Sequence, residues 1–150
     1  MKAAISETTK EIFFRLEGKY FIKRVVGNHG TGEGIAYFLK AGANNLLYKE
    51  ELEINYNNIA GKISAVKEYR YAFGDNKIIK YFNSKENSNL FYQLNFIESL
   101  PLKALGTYLC NRDRYEATYT FLNSNSFILN YQILGPEKDY NIITDFKRIT

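Results

Sequence analysis

The sequence predicts an all-β protein: an antiparallel up-and-down meander of about 8–10 strands, closed into a barrel, with one short N-terminal helix. After about residue 18, apolar and polar residues alternate with a period of two, and turn-forming clusters recur at regular intervals. No segment between strands is long enough for the helical crossover that parallel strands need. Because so many twisted strands leave exposed edges unless the sheet closes, a barrel is favoured.

The helix is predicted from a capping-box pattern, Thr8-x-x-Glu11, which satisfies backbone donors at a helix start. Ile12 and Leu16 follow at helical spacing, and Gly18 ends the segment. We therefore expect a helix that begins near Thr8.

Seven clusters of turn-forming residues separate the predicted strands: residues 27–30, 42–45, 57–58, 74–76, 84–89, 123–125 and 135–136. Pro101 and Pro136 both fall in predicted connections, where a missing backbone N–H does no harm. The spacing of these clusters is typical of successive hairpins.

The composition fits one packed domain over residues 1–150, with residues 1–17 as an N-terminal arm and short helix. Of the 150 residues, 45% are hydrophobic, and the 13 tyrosines and 11 phenylalanines favour packed strands over disorder. The formal net charge is +4, but basic residues are interspersed with acids and form no run. This pattern disfavours a nucleic-acid partner.

The lone cysteine, Cys110, has no partner for an internal disulfide, and one cysteine with one histidine cannot build a structural zinc site. A reducing compartment, and so the cytoplasm, is the expected location. No stretch approaches the ~18 apolar residues of a membrane span. His29 lies in a predicted turn, which argues against haem held by an interior histidine. We expect no metal and no cofactor, and the sequence leaves the oligomeric state open.

Period-two counting sorts the strand residues into two faces. Four rows, each made of every second residue of a strand, combine aromatic side chains with a charged one. They run from Tyr20 to Val26, from Leu46 to Ile54, from Asp113 to Phe121, and from Tyr140 to Arg148. If these rows face inward, the interior contains Arg24, Glu50, Asp113 and Arg148. Charges remain ionised there only when they are paired or hydrogen-bonded, unless they lie at the wetted barrel ends.

Gly18-Lys19-Tyr20 lies where the helix meets the first strand, and Arg148 ends the last strand. This arrangement resembles the calycin pattern of lipocalins, in which Gly-x-Trp is answered by an arginine that stacks across the indole. Tyr20 stands at the tryptophan position and keeps an aromatic face for a cation–π contact. The resemblance implies a lipocalin-like barrel with Arg148 packed over Tyr20.

Five further motifs span the chain: Leu16-x-Gly18-x-Tyr20 with Arg24, Gly34-x-Ala36-x-Phe38, Leu47-Tyr48-x-Glu50, Cys110-x-x-Asp113-x-Tyr115, and Gly135-Pro136-x-Lys138-Asp139-Tyr140. Together they resemble a family of uncharacterised bacterial proteins with a lipocalin-like barrel. In that family we expect a histidine two positions before the cysteine, where this chain has Tyr108. The resemblance implies a fold but no activity, because the family's function is itself unassigned.

Two motifs carry both a structural and a functional interpretation. The segment from Gly135 to Tyr140 is first a turn, and alternatively a polar triad of Lys138, Asp139 and Tyr140 at a barrel mouth. Cys110 is expected to be a small buried hydrophobe rather than a nucleophile, since only arginines stand near it in sequence to activate the thiol.

Three functions fit these residues. The first is binding of a small amphipathic or aromatic ligand, with a negative or hydroxylated end, inside the barrel. The second is a small isomerase, lyase or hydrolase that uses Asp113, Tyr115, Glu50 and Arg24. The third is a structural or protein-interaction barrel. The ligand-binding candidates are Arg24, Tyr48, Glu50, Asp113, Tyr115, Lys138, Asp139, Tyr140 and Arg148.

Overall fold

The computed structural model describes residues 2–150, with side chains described from Thr9 onward. Helix α1 (Lys2–Arg15) is followed by ten strands: β1 (Gly18–Val26), β2 (Gly30–Lys40), β3 (Asn45–Tyr56), β4 (Ile63–Gly74), β5 (Lys77–Phe82), β6 (Leu90–Ile97), β7 (Leu102–Cys110), β8 (Asp113–Asn123), β9 (Ser126–Gly135) and β10 (Lys138–Arg148). In this described part of the chain, no helix has the length and hydrophobicity needed to cross a membrane.

The predicted start of the helix is wrong. Thr8 lies within α1, which begins at Lys2. The two alanines after Lys2 have the highest helix propensity of any residue, so the helix extends beyond the capping-box pattern toward the N-terminus.

The ten strands form one closed antiparallel barrel in which each strand pairs with its neighbours in sequence and β1 pairs with β10. The predicted closed meander is therefore confirmed. All seven predicted turns coincide with connections between strands. Two connections, residues 98–101 and 111–112, are not among the predicted turn clusters.

Alternating strand directions place the connections at two ends of the barrel. Residues 41–44, 75–76, 98–101 and 124–125 lie at the end that α1 covers, here called the helix end. The opposite end, here called the mouth, carries residues 27–29, 57–62, 83–89, 111–112 and 136–137. At the helix end, Phe13 is fully buried and its ring lies 5.6 Å from that of Phe73.

Arg148 closes the helix end as the calycin resemblance implied. It pairs with Tyr20 across the β1–β10 ladder, and its guanidinium carbon lies 4.8 Å from the Tyr20 ring centroid. The guanidinium donates to the carbonyl oxygens of Glu17 at 2.7 Å, Ser124 at 3.3 Å and Arg15. Burial raises the pKa of Tyr20 to about 12, against the opposing effect of Arg148. Its hydroxyl stays neutral and donates to the Leu16 carbonyl at 2.8 Å.

All four predicted rows face inward, because their members are the buried or half-buried positions of β1, β3, β8 and β10. The shortest ladder of the barrel is that between β6 and β7, which pair over three residues, from Asn95↔Leu105 to Ile97↔Lys103. Beyond that short ladder Gly106 faces the ring of Tyr92, and a Cβ at position 106 would collide with it. Glycine at this position therefore lets an aromatic ring cross the interior.

Replacing Arg148 by alanine should lower the free energy of unfolding by about 1–3 kcal/mol, because the Tyr20 face and three carbonyl oxygens lose their partner. Urea denaturation of R148A beside K147A measures this loss. Lys147 is exposed on the outer face of the same strand, so K147A should change stability by less than about 0.5 kcal/mol. Equal stability of the two variants would contradict the closing role of Arg148.

Candidate functional site

A cavity of about 260 Å³ occupies the mouth half of the barrel. Its size is near the lower limit of known ligand pockets, which begin at roughly 300 Å³. The wall is mostly apolar and aromatic, with Ile54, Tyr69 and Tyr131 among its residues. Arg24, Glu50, Thr144, Lys67 and Lys80 supply its polar groups besides the tyrosine hydroxyls.

Arg24 and Glu50 form a buried ion pair on the cavity wall. Arg24 Nη1 and Nη2 donate to the two Glu50 carboxylate oxygens at 2.7 and 2.8 Å, and Arg24 Nε donates to Thr144 Oγ1 at 2.8 Å. Tyr48 Oη donates to Glu50 at 2.6 Å. Burial alone would raise the pKa of Glu50, but the Arg24 guanidinium and the Tyr48 hydroxyl bring it below its usual range. Glu50 is therefore ionised at neutral pH, and its charge is fully matched by Arg24.

Lys80 is the second buried cation, and it has no such match. Its side chain is 2% exposed, and none of the ion pairs among residues 9–150 involves it. Its Nζ lies 4.1 Å from the Tyr69 ring centroid and within 6 Å of five further rings, those of Tyr48, Tyr71, Phe91, Tyr92 and Tyr131.

Burial lowers the pKa of Lys80 well below its usual value. Glu50 opposes this shift, but Arg24 and Lys67 reinforce it. The ring faces favour the ammonium form by about 0.5–2 kcal/mol. Desolvation of the buried amine is the larger effect, so the pKa is lowered overall. Burial therefore favours the neutral amine of Lys80 more than that of a lysine in water.

A chain of tyrosine hydroxyls leads inward from Lys80. Its Nζ lies 3.0 Å from Tyr131 Oη, which lies 2.7 Å from Tyr92 Oη. Tyr92 Oη is 2.5 Å from Tyr119 Oη, which is 2.7 Å from Tyr71 Oη. Burial raises the pKa of all four tyrosines well above the usual value, so their hydroxyls remain protonated. Lys80 Nζ donates to Tyr131 Oη, so the amine and the four hydroxyls form one continuous hydrogen-bonded chain.

The two most specific sequence motifs meet at the mouth. Lys138 Nζ donates to the Asp113 carboxylate at 2.8 Å, and a Cβ at position 135 would collide with that same carboxylate. Gly135 thus leaves the space that the ion pair occupies. Asp139 accepts from Gln132 at 3.0 Å. This cluster is partly exposed and fixes the Gly135–Lys138 turn, in agreement with the structural interpretation of the motif.

The predicted site residues therefore fall into three places. Arg24, Tyr48, Glu50 and Tyr140 line the cavity. Asp113, Tyr115, Lys138 and Asp139 lie around the mouth, outside the set of cavity-lining residues. Arg148 lies at the opposite end, where its donors are held by backbone carbonyls.

The structure does not assemble the proposed catalytic constellation of Asp113, Tyr115, Glu50 and Arg24. The Asp113 carboxylate is bound by Lys138 at the mouth, whereas the Glu50 carboxylate is bound by Arg24 and Tyr48 inside the barrel. The two carboxylates have no hydrogen-bonding partner in common among the described side chains. General acid–base chemistry by this pair has no geometric support.

Cys110 is exposed, so its predicted role as a small buried hydrophobe is wrong. Cys110 lies on the same inward face of β7 as Ala104 and Tyr108. It is the last residue of that strand, however, and lies beside the tight turn at Asn111, beyond the packed interior. Tyr108, at the position of the expected histidine, lies 5.1 Å from the Phe91 ring and packs in the aromatic layer. His29 is exposed in its turn as expected, and among the described residues no three Asp, Glu, Cys or His side chains gather as a metal site.

Sequence reasoning missed Lys80, and with it the tyrosine chain. The signal was present in β5, where Ile78, Lys80 and Phe82 share one face and both neighbours of the lysine are apolar. A lysine in an inward row is as unusual as the arginine and glutamate of the predicted rows. Tyr69 and Tyr71 of β4, and Tyr131 of β9, belong to further rows of the same kind.

Comparison with known proteins supports the fold and leaves the activity open. Residues 16–148 match a family described as "Family of unknown function (DUF6314)". No curated protein sequence matches the chain. The S-type phycobiliprotein lyase CPES from Guillardia theta is similar in structure, with a TM-score of 0.66 and 9% identity over 94% of this chain and 92% of that one.

A redesigned β-barrel, mFAP1, bound to DFHBI, is also similar in structure, with a TM-score of 0.51 and 9% identity. The match covers 91% of this chain and 98% of that one. At such identities the likeness concerns the fold alone.

Replacing Arg24 by methionine should lower the free energy of unfolding by about 3–5 kcal/mol, because the Glu50 carboxylate is left buried without a counter-charge. The double variant R24M/E50Q should recover most of this loss, since the glutamine amide carries no charge and its oxygen still accepts from Tyr48. Chemical denaturation of both variants, with K23M on the outer face as control, measures the effect. A double variant as unstable as R24M would contradict it.

Proposed function

We propose that this chain, which belongs to the DUF6314 family of unknown function, binds a compact aromatic molecule with an anionic or hydroxylated end inside the barrel. One observation carries the proposal: a cavity walled by aromatic rings contains a buried lysine that forms no ion pair with any carboxylate among residues 9–150. An anionic group beside Lys80 would supply the missing counter-charge and favour uptake of a proton by the amine.

The buried Arg24–Glu50 pair of the cavity wall is already satisfied. The Glu50 carboxylate accepts both Arg24 donors and the Tyr48 hydroxyl, so this pair forms a rigid wall rather than an open recognition group. Lys80 and Tyr131 therefore determine where the polar end of a ligand is held. The limited volume favours one or two rings over a long acyl chain.

The solved structures that share this fold are consistent with a binding role. One is described as bound to DFHBI and another as a phycobiliprotein lyase. The proposal for this chain rests on its own cavity, because likeness at 9% identity does not carry a ligand from one barrel to another.

We also retain three finer predictions from the sequence: kinship with lipocalin-like barrels, bacterial origin and a cytoplasmic location. The first is supported by the closed meander with Arg148 packed over Tyr20. The last is supported by the lone cysteine.

Ligand-observed NMR and calorimetry with benzoate, 4-hydroxybenzoate and palmitate test the proposal. At least one aromatic acid should bind more tightly than ~1 mM, and palmitate should not compete with it. Ala65 lines the cavity, so A65F should weaken binding at least about 10-fold by filling it.

V66F is the matched control, because Val66 is 60% exposed on the outer face of the same strand. It should leave affinity unchanged. Failure of both aromatic acids to bind, or binding that A65F does not weaken, would show that the cavity is not the site.

A further inference from the structure

We propose that Lys80 is a nucleophile that captures an aromatic aldehyde as an imine inside the cavity. The inference rests on the proposed binding function and deepens it by naming a carbonyl compound as the ligand class. Its basis is the placement of a buried, unpaired lysine amine against both the cavity and a tyrosine hydroxyl.

Imine formation needs an amine with a free lone pair, and lysines acquire one when they are desolvated in a hydrophobic pocket. Lys80 is placed in such a pocket, since aromatic rings surround its Nζ and no carboxylate of the described side chains binds it. Among the described residues, the ammonium form of Lys80 has no ion pair like the one that Arg24 makes with Glu50.

Lys67 also lines the cavity, and it shows why Lys80 is singled out. The Lys67 side chain is exposed to water, whereas Lys80 is enclosed by aromatic rings. The two lysines thus face one cavity from different environments.

The neighbouring hydroxyl supplies the proton transfers that the reaction requires. Attack of Lys80 Nζ on the carbonyl carbon forms a C–N bond and moves the carbonyl π electrons to oxygen. One proton then passes from nitrogen to that oxygen through Tyr131 Oη, 3.0 Å from Nζ, to give a carbinolamine.

The nitrogen lone pair next forms the C=N bond as the C–O bond breaks. The hydroxyl leaves as water, carrying the second proton lost by nitrogen. The sum is aldehyde plus amine giving imine plus water, with no oxidant, reductant or metal. The hydroxyl chain through Tyr92 and Tyr119 keeps Tyr131 fixed in position during these transfers.

Reductive trapping tests the inference. The full chain is incubated at neutral pH with a small excess of benzaldehyde and cyanoborohydride, which converts an imine to a stable benzylamine. Peptide mass mapping then measures modification at each lysine. Lys80 should be modified at least about 10-fold faster than Lys67 or the exposed lysines, and K80R should lose this fast phase.

The Tyr131 role has its own readout. At saturating benzaldehyde, Y131F should slow trapping at Lys80 by about 10²-fold, within the usual contribution of a general acid–base group. Y108F is the control, because Tyr108 does not belong to the chain of tyrosine hydroxyls and does not line the cavity. It should trap at the wild-type rate.

The two proposals fail in different ways. If benzoate binds but Lys80 is modified no faster than Lys67, the imine inference is wrong and the binding function stands. If neither benzoate nor 4-hydroxybenzoate binds and Lys80 is not modified, both are wrong. Fast trapping at Lys80 that persists in Y131F would retain the nucleophile and overturn the role of Tyr131.

Discussion

Closure of the barrel by the β1–β10 ladder is the constraint on which the rest of the structure depends. Once the sheet has no free edge, each inward polar side chain must find its hydrogen-bonding partners inside the barrel or at its ends. Arg148 meets this demand with backbone carbonyls at the helix end, and Arg24 meets it with Glu50 across the interior. The tyrosine hydroxyls meet it by bonding to one another.

Among the described interior side chains, Lys80 is the basic group that this demand leaves without a carboxylate partner. Glu50 is the buried carboxylate of the described interior, and Arg24 engages both of its oxygens. Lys80 therefore shares the cavity with a carboxylate that is already neutralised. A buried ionisable group without a partner is a common mark of a functional site, because it lowers stability and gains a use only when something binds to it. The cavity next to Lys80 provides the space for such a ligand.

Much of this arrangement is predictable from the sequence, because strand parity fixes which face a residue occupies. Arg24 and Glu50 can be placed inside the barrel by counting, and Arg148 can be placed over Tyr20. Parity does not fix depth along the barrel, which is why the predicted burial of Cys110 is wrong. It also cannot show which inward groups meet. Asp113 and Glu50 have the same parity on distant strands, yet they lie in different parts of the barrel with different partners.

The protonation state of Lys80 is the central claim, and the NMR titration of lysine side chains labelled with ¹³C measures it directly, with K80R to assign the resonance. We expect the Lys80 signal to titrate well below the ordinary lysine pKa of about 10.4, because burial outweighs both Glu50 and the surrounding ring faces. A Lys80 signal that titrates at or above the ordinary value would contradict the account, since it would show an ammonium already satisfied by the aromatic rings.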